Sequence, residues 1–169
     1  MSAGPFFGKY RGLVVQNLDP MQIGRIQVIV PDVAITPSSW AMPCVPWAGI
    51  NTGMFMVPPI GAGVWVEYEK GDPDYPFWVG GYWGTAAEVP LMARAVPPAI
   101  AGITIQTTLK NGITISDTPG PTGGILIQTT TGAMISVSEI GITISNGKGA
   151  IINMTGPTVD VNVGALTVV

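Results

Sequence analysis

The tetrapeptide Gly-Ile-Thr-Ile stands at residues 102–105 and returns at 112–115 and at 141–144. These copies belong to a longer rhythm. Glycines at 124, 132, 141, 149, 156 and 164 follow one another at intervals of eight, nine, eight, seven and eight residues. Three places after the first five of them stand Ile127, Ile135, Ile144, Ile152 and Val159, and the next residues are Gln128, Ser136, Ser145, Asn153 and Asp160. Alternation of apolar and polar residues is the period of a half-buried strand, and a glycine between strands lets the chain bend where a Cβ would obstruct the corner. Residues 101–169 therefore read as one short strand per octad.

Such strands cannot bury their own apolar face. Leu126, Met134, Ile151 and Leu166, two places after their glycines, also put apolar groups on the nominally outer face, a hazard on a free edge. Two architectures solve this. In a one-chain β-solenoid three octads would complete each turn, giving few turns for a repeat fold. In the arrangement preferred here three chains wind together, each giving one strand per layer. Ile127, Ile135, Ile144, Ile152 and Val159 then form the predicted trimer core. Layers stacked at about 4.8 Å make a rod roughly 35–40 Å long.

The rest of the chain is written differently. Residues 1–84 hold all five tryptophans, whereas residues 101–169 hold no aromatic residue and only Lys110, Asp117, Glu139, Lys148 and Asp160 as charges. Short apolar or alternating runs at 11–16, 25–30, 40–45, 64–69 and 77–83 are separated by turn residues such as Asp19-Pro20 and Lys70-Gly-Asp-Pro-Asp74. Five short strands in so few residues suit a closed barrel of the oligonucleotide/oligosaccharide-binding (OB) topology. The expected organisation is an OB barrel over 1–84, a proline-rich extended connector over 85–100, and the octad needle over 101–169.

Composition narrows the function classes. The 169 residues are 47% hydrophobic and only 10% charged, against about 25% charged in an average globular domain, so a lone monomer would lack solvating charge. Glycine, proline and hydroxyl residues break every apolar run before it reaches the length of a spanning helix. The opening MSAGPFFGKYRG carries no signal-peptide pattern, which predicts synthesis in the cytoplasm. There is no histidine, so the commonest general base and metal ligand is missing, and no Gly-x-Ser-x-Gly or Ser-x-x-Lys pattern occurs. No catalytic residue, metal site or cofactor is expected, and a polysaccharide-cleaving β-helix lacks paired acids in the repeats. Glu67, Glu69, Asp72 and Asp74 read as turn and surface residues rather than calcium ligands. Cys44, the single cysteine, sits in Met42-Pro-Cys-Val-Pro46 and reads as a buried, inert thiol. A net charge of −3 argues against nucleic acid as a partner. The tryptophans leave a carbohydrate-binding or adhesin-like β-solenoid as the alternative function.

Two runs carry a family resemblance: Gly12-Leu-Val-Val-Gln-Asn-Leu-Asp-Pro-Met-Gln-Ile-Gly-Arg-Ile-Gln-Val28, and the stretch from Pro59-Ile-Gly-Ala-Gly-Val-Trp-Val-Glu-Tyr68 to Phe77-Trp-Val-Gly-Gly-Tyr-Trp-Gly84. They resemble the OB module of contractile-tail central spikes, the group that includes phage baseplate assembly protein V and the valine-glycine repeat proteins of type VI secretion. With the octads behind them, the resemblance covers nearly the whole chain. It implies an all-β fold: a five-stranded OB barrel followed by an intertwined triple-stranded β-helix in a homotrimer. The trimer would sit in the baseplate of a virion or phage-tail-like particle, joined to a hub protein and the inner tube, and would meet the target cell envelope on sheath contraction. Some relatives insert a lysozyme domain, others carry a hub domain ahead of the barrel, and others bind iron through His-x-His; none of these patterns occurs here. The sequence ends Gly164-Ala-Leu-Thr-Val-Val169, so Leu166, Val168 and Val169 from three chains are expected to make an apolar tip. By the same resemblance a small cone of the Pro-Ala-Ala-Arg (PAAR) repeat family would cap it.

Overall fold

A computed structural model describes residues 5–168, so Val169, expected at the tip, lies outside the described residues. The chain divides into two units, Met1–Ala86 and Ala87–Val169.

In the first unit the turn residues cut the chain into the strands β1 (Tyr10–Gln16), β2 (Gln27–Ile29), β3 (Met42–Pro43), the short hairpin β4 (Ala48–Gly49) and β5 (Thr52–Gly53), then β6 (Gly63–Tyr68) and β7 (Pro76–Tyr82). The sheet order is β2-β1-β6-β7-β3, with β3 parallel to β7 and the other neighbours antiparallel. An antiparallel bridge between Ile26 and Ala41, hydrogen-bonded in both directions, joins β2 to β3 and closes the sheet on itself. This is the five-stranded OB barrel. Alternation supplies its core: Val14, Ile26, Val28, Val64 and Val66 are all less than 2% exposed, joined by Val30, Ala41, Tyr68 and Trp78. The Trp78 indole N–H donates to the Gly24 carbonyl at 3.1 Å, which satisfies its one buried polar atom.

Two side-chain readings are settled by position. Asp72 accepts from the Asp74 amide at 3.0 Å inside the β6–β7 turn, and Glu67 pairs with Lys9, so this acidic cluster is turn chemistry and a surface ion pair. Cys44 is exposed rather than buried. It follows the two-residue β3, whose Met42 also faces outward, so apolar neighbours in sequence did not mean apolar cover.

The second unit opens with a helical turn, α1 (Leu91–Ala95), where an extended connector was expected. Its Met92 is buried, and the Met92 amide donates to the Gln106 side-chain oxygen at 3.0 Å. Eight strands follow: β8 (Gly102–Gln106), β9 (Gly112–Ser116), β10 (Gly124–Gln128), β11 (Met134–Ser138), β12 (Gly141–Ser145), β13 (Ile151–Thr155), β14 (Thr158–Val161) and β15 (Leu166–Val168). They form one 8-stranded sheet in chain order, every neighbouring pair antiparallel. The octad glycines all take positive φ. At Gly124 and Gly141 a Cβ would also lie 2.0 Å and 2.1 Å from the carbonyl oxygens of Val137 and Met154, so neighbouring backbone leaves room for no side chain. Where three chains winding together, one strand each per layer, were expected, each strand of this sheet is hydrogen-bonded to its own chain's neighbours. Alternation fixes which face a residue takes, and it is silent on whose strand lies alongside.

Candidate assembly interface

The register of the second sheet lines up its aliphatic residues in two ladders. One runs Ile105, Ile113, Ile127, Ile135, Ile144, Ile152, Val161 and Leu166; the other runs Ile103, Ile115, Ile125, Val137, Ile142, Met154, Val159 and Val168. Every strand gives one residue to each ladder, so one whole face is aliphatic. Seven strand spacings of about 4.8 Å make it roughly 34 Å long.

The opposite face is polar along the middle of the strands, except at Leu126 of β10. Thr104 pairs with Thr114, Ser136 with Thr143, and Asn153 with Asp160. Hydroxyls and amides bond across it: Thr104 Oγ1 lies 3.3 Å from Thr114 Oγ1, and Thr143 Oγ1 donates to Asn153 Oδ1 at 2.9 Å. Leu126, Met134 and Ile151 fall on this face, as their places in the octads predict. Leu166 does not: it pairs with Val161 on the aliphatic face. The connection after β14 shifts the phase by one residue, and a one-residue shift moves a strand's whole set to the other face. For the same reason the last octad puts Leu166 and Val168 on the aliphatic face together.

The five residues expected at the trimer core, Ile127, Ile135, Ile144, Ile152 and Val159, all stand on the aliphatic face, the first four in one ladder and Val159 in the other. Sequence reasoning from plus-three positions alone missed the second ladder, although Ile125, Ile142 and Met154 carry the same alternation two residues away. Among the described residues of the second unit nothing covers this face. Ile127, Ile135 and Ile144 are 40–42% exposed and Ile105 is 67% exposed. Single exposed aliphatic residues are ordinary on a protein surface; a contiguous face of this extent marks an interaction site. Lys110, Asp117, Glu139, Lys148 and Asp160 all stand off it, in turns, at a strand end or on the polar face. Glu139 is used locally, accepting from the Gly120 amide at 2.7 Å.

The barrel has an interaction surface of another kind. Ile23, Met42, Val45, Met54, Phe55 and Met56 line a groove of about 530 Å³ beside the β4–β5 hairpin. Methionine-rich surfaces adapt to partners because the unbranched thioether chain repacks at little cost. The loop that shapes one wall is held by Asp19, whose side chain is only 4% exposed. Its carboxylate accepts from the backbone amides of Met21, Ile23 and Arg25 and from Nε and a terminal nitrogen of Arg25, at 2.7–3.1 Å. The Arg25 guanidinium is the chief reason its pKa falls far below the ordinary carboxylate range, with the three amides adding to the effect against the opposing cost of burial. Arg25 in turn lies 5.4 Å from the Trp40 ring centre. Elsewhere on the outer surface of the barrel Arg11 lies over the Trp65 and Tyr82 rings at 5.5 and 5.4 Å.

Among the described residues no helix is long and apolar enough to cross a membrane, and no group of three or more histidine, cysteine or acidic residues is placed to hold a metal ion. No curated protein matches the chain. Residues 10–83 match the family described as the type VI secretion system/phage-baseplate injector OB domain. Residues 102–167 match the phage baseplate V C-terminal trimerisation domain, and these residues carry both ladders up to the last rung, Val168. The chain belongs to the phage baseplate assembly protein V family, an injector OB domain followed by a trimerisation domain, and its role is that of a structural, spike-type baseplate component.

Proposed function

We propose that the protein is the central spike of a contractile injection particle: a trimeric needle that transmits the force of sheath contraction and opens the target envelope. The observation that carries this reading is the uninterrupted aliphatic face within the segment that matches the trimerisation domain. Three copies that bury it present the mainly polar faces and tight turns outward, as a rod that slides through an envelope requires. Its work is mechanical, with no catalytic step.

The barrel is the docking end. Its methionine-lined groove and exposed aromatic residues suit attachment to the hub protein and, beyond it, the inner tube. At the other end of the chain β15 is an edge strand with a single neighbour. An open edge flanked by Leu166 and Val168 suits a tip protein of the Pro-Ala-Ala-Arg repeat family that pairs its own strands there. The chain is made in the cytoplasm and acts from the assembled particle.

Native mass spectrometry of the full chain tests the core of this reading. A trimer is expected whose C-terminal sheet does not stay folded in a monomer on dilution, because its aliphatic face is covered only between copies. A soluble monomer with that sheet folded would overturn it.

A further inference from the structure

The sequence holds two Asn-Gly pairs, Asn111-Gly112 and Asn146-Gly147, each beside a hairpin turn of the needle. Asparagine is a labile residue, most of all before glycine, which has no side chain to shield its amide nitrogen. We propose that Asn146 is a modification site, where the folded chain converts its own asparagine to aspartate and isoaspartate while Asn111 is spared. Asn146 stands in the exposed turn between β12 and β13. Its Oδ1 accepts from the Lys148 amide at 2.8 Å and from the Ala150 amide at 3.1 Å. These bonds fold the side chain forward over the turn, which brings Cγ beside the Gly147 nitrogen. The same two amides polarise the side-chain carbonyl and are placed to hold the negative charge that gathers on Oδ1 when a nucleophile adds to Cγ. The Gly147 N–H donates to Ser145 Oγ at 3.1 Å, which gives a departing proton a path through a hydroxyl to water. Backbone of Thr131–Ala133 packs so closely on Gly147 that a Cβ there would lie 2.6–2.7 Å from it, so the nitrogen is held in place.

Asn111 has the same neighbour in an opposite setting. Its Oδ1 accepts from the Thr130 amide of another turn at 3.0 Å, which draws the side chain sideways. Gly112 already belongs to β9, opposite Gln106 on one side and Gln128 on the other. A Cβ there would meet the Ile105 carbonyl oxygen at 2.6 Å and Met92 Sδ at 2.7 Å. A nitrogen fixed in that way cannot turn onto Cγ. At Asn146 the reaction needs only water. The Gly147 nitrogen gives up its proton and bonds to Cγ, the Cγ–Nδ2 bond breaks, and Nδ2 takes a proton and leaves as ammonia. Water then opens the resulting ring at Cγ to give aspartate, or at the main-chain carbonyl to give isoaspartate. Aspartate keeps the turn, because its carboxylate accepts from the same two amides, and it adds one negative charge to a chain whose net charge is −3. Isoaspartate lengthens the main chain by a methylene and disturbs the bond from the Asn146 amide to the Ala150 carbonyl that closes this hairpin. The modification therefore accumulates with age at one edge of the needle.

Peptide mapping by mass spectrometry tests this. Full-length protein is incubated at mildly alkaline pH in heavy-oxygen water, beside free peptides spanning residues 107–117 and 141–151. Each conversion takes up one heavy oxygen, and electron-transfer fragmentation separates aspartate from isoaspartate. In the folded protein Asn146 should convert about tenfold or more faster than Asn111, whereas the two free peptides should react at similar rates. Ser145→Ala should slow Asn146 roughly fivefold and leave Asn111 unchanged, and Ser145→Thr, which keeps the hydroxyl, should restore the rate. Equal rates at the two sites of the folded protein would overturn the assignment. So would an Asn146 that stays intact in the protein while its free peptide reacts. An unchanged rate in Ser145→Ala would overturn the proton path through Ser145.

Discussion

The barrel and the needle are made of the same aliphatic residues on strands of the same alternation, yet one hides them and the other leaves them open. Ile26 and Val66 are fully buried, whereas Ile135 and Ile144 are about 40% exposed. The difference lies in closure. In the barrel, β1 and β7 each carry an extra residue, Val15 against β2 and Val79 opposite the step from Trp65 to Val66. Irregularities of this kind bend and twist a strand, and the Ile26–Ala41 bridge completes the circuit. The needle's ladders run without a register shift. A regular meander has no device to curl it into a closed barrel, so its core has to be completed by other copies.

The harshest way to break this comparison is to damage each core in turn, with a charge in the needle and a cavity in the barrel. Ile144→Asp sets three carboxylates around one axis, where burial and mutual repulsion each cost several kcal/mol. Loss of the trimer is expected by light scattering, with the near-ultraviolet circular dichroism of the barrel's tryptophans unchanged. A retained trimer of unaltered melting temperature would mean that this ladder does not face inward. Ile26→Ala is the counterpart in the barrel and should cost about 2–5 kcal/mol. Its melting transition should fall while native mass stays trimeric. Wild-type protein should show the same division on dilution: the needle's transition moves with concentration and the barrel's does not.

Most of the fold is legible in the sequence because period and punctuation are local. The octad glycines mark the strand boundaries, and five apolar runs between turn residues locate the barrel strands within a few residues. What is not legible depends on neighbours. Ile127 must face the apolar side, but nothing at that position says that β9 and β11 beside it belong to the same chain. The phase shift before Leu166 is invisible because Ala165-Leu-Thr-Val168 offers two alternations, and only pairing with Val161 chooses one. Cys44 is apolar in sequence and exposed in space for a similar reason, since β3 is too short to be roofed. Asp19 reads as a turn former, which it is. Its grip on Arg25 and three amides needs the loop to fold back on itself, and no spacing rule announces that.

The latch at Asp19 gives a subtler contrast, because the barrel has an internal ionic fastening of its groove loop and the needle ladders have none. Asp19→Asn keeps the size of the side chain and removes the charge, so the loop from 19 to 25 should loosen, with faster amide exchange at Met21, Ile23 and Arg25. The pH dependence follows from the depressed folded-state pKa. The contribution is fully present above the unfolded value of about 3.9 and is lost as pH falls through the lower folded value. Acid should therefore loosen this loop in the wild type and change it little in the variant. Equal acid responses in both would show that the charge is not what holds the loop.

The smallest effect lies at the last connection of the needle. Asn162 and Val163 have φ of 51° and 56°, both in the left-handed region. Asparagine adopts it readily, and here Asn162 is also useful: its side-chain oxygen accepts from the Ile151 amide at 3.0 Å and its own amide donates to the Ile151 carbonyl at 2.8 Å. Valine is poorly suited, since a β-branched residue there costs about 1–2 kcal/mol, and its side chain is exposed. Val163→Gly relieves that strain but adds freedom to the unfolded chain worth roughly 0.5–1 kcal/mol. A net gain of about 0.5–1 kcal/mol is expected, seen as a modest rise in the needle's melting temperature. A fall instead would mean that Val163 is covered in the assembled particle, by another copy or by a tip protein, and the line between closed barrel and open needle would then have to be redrawn at this turn.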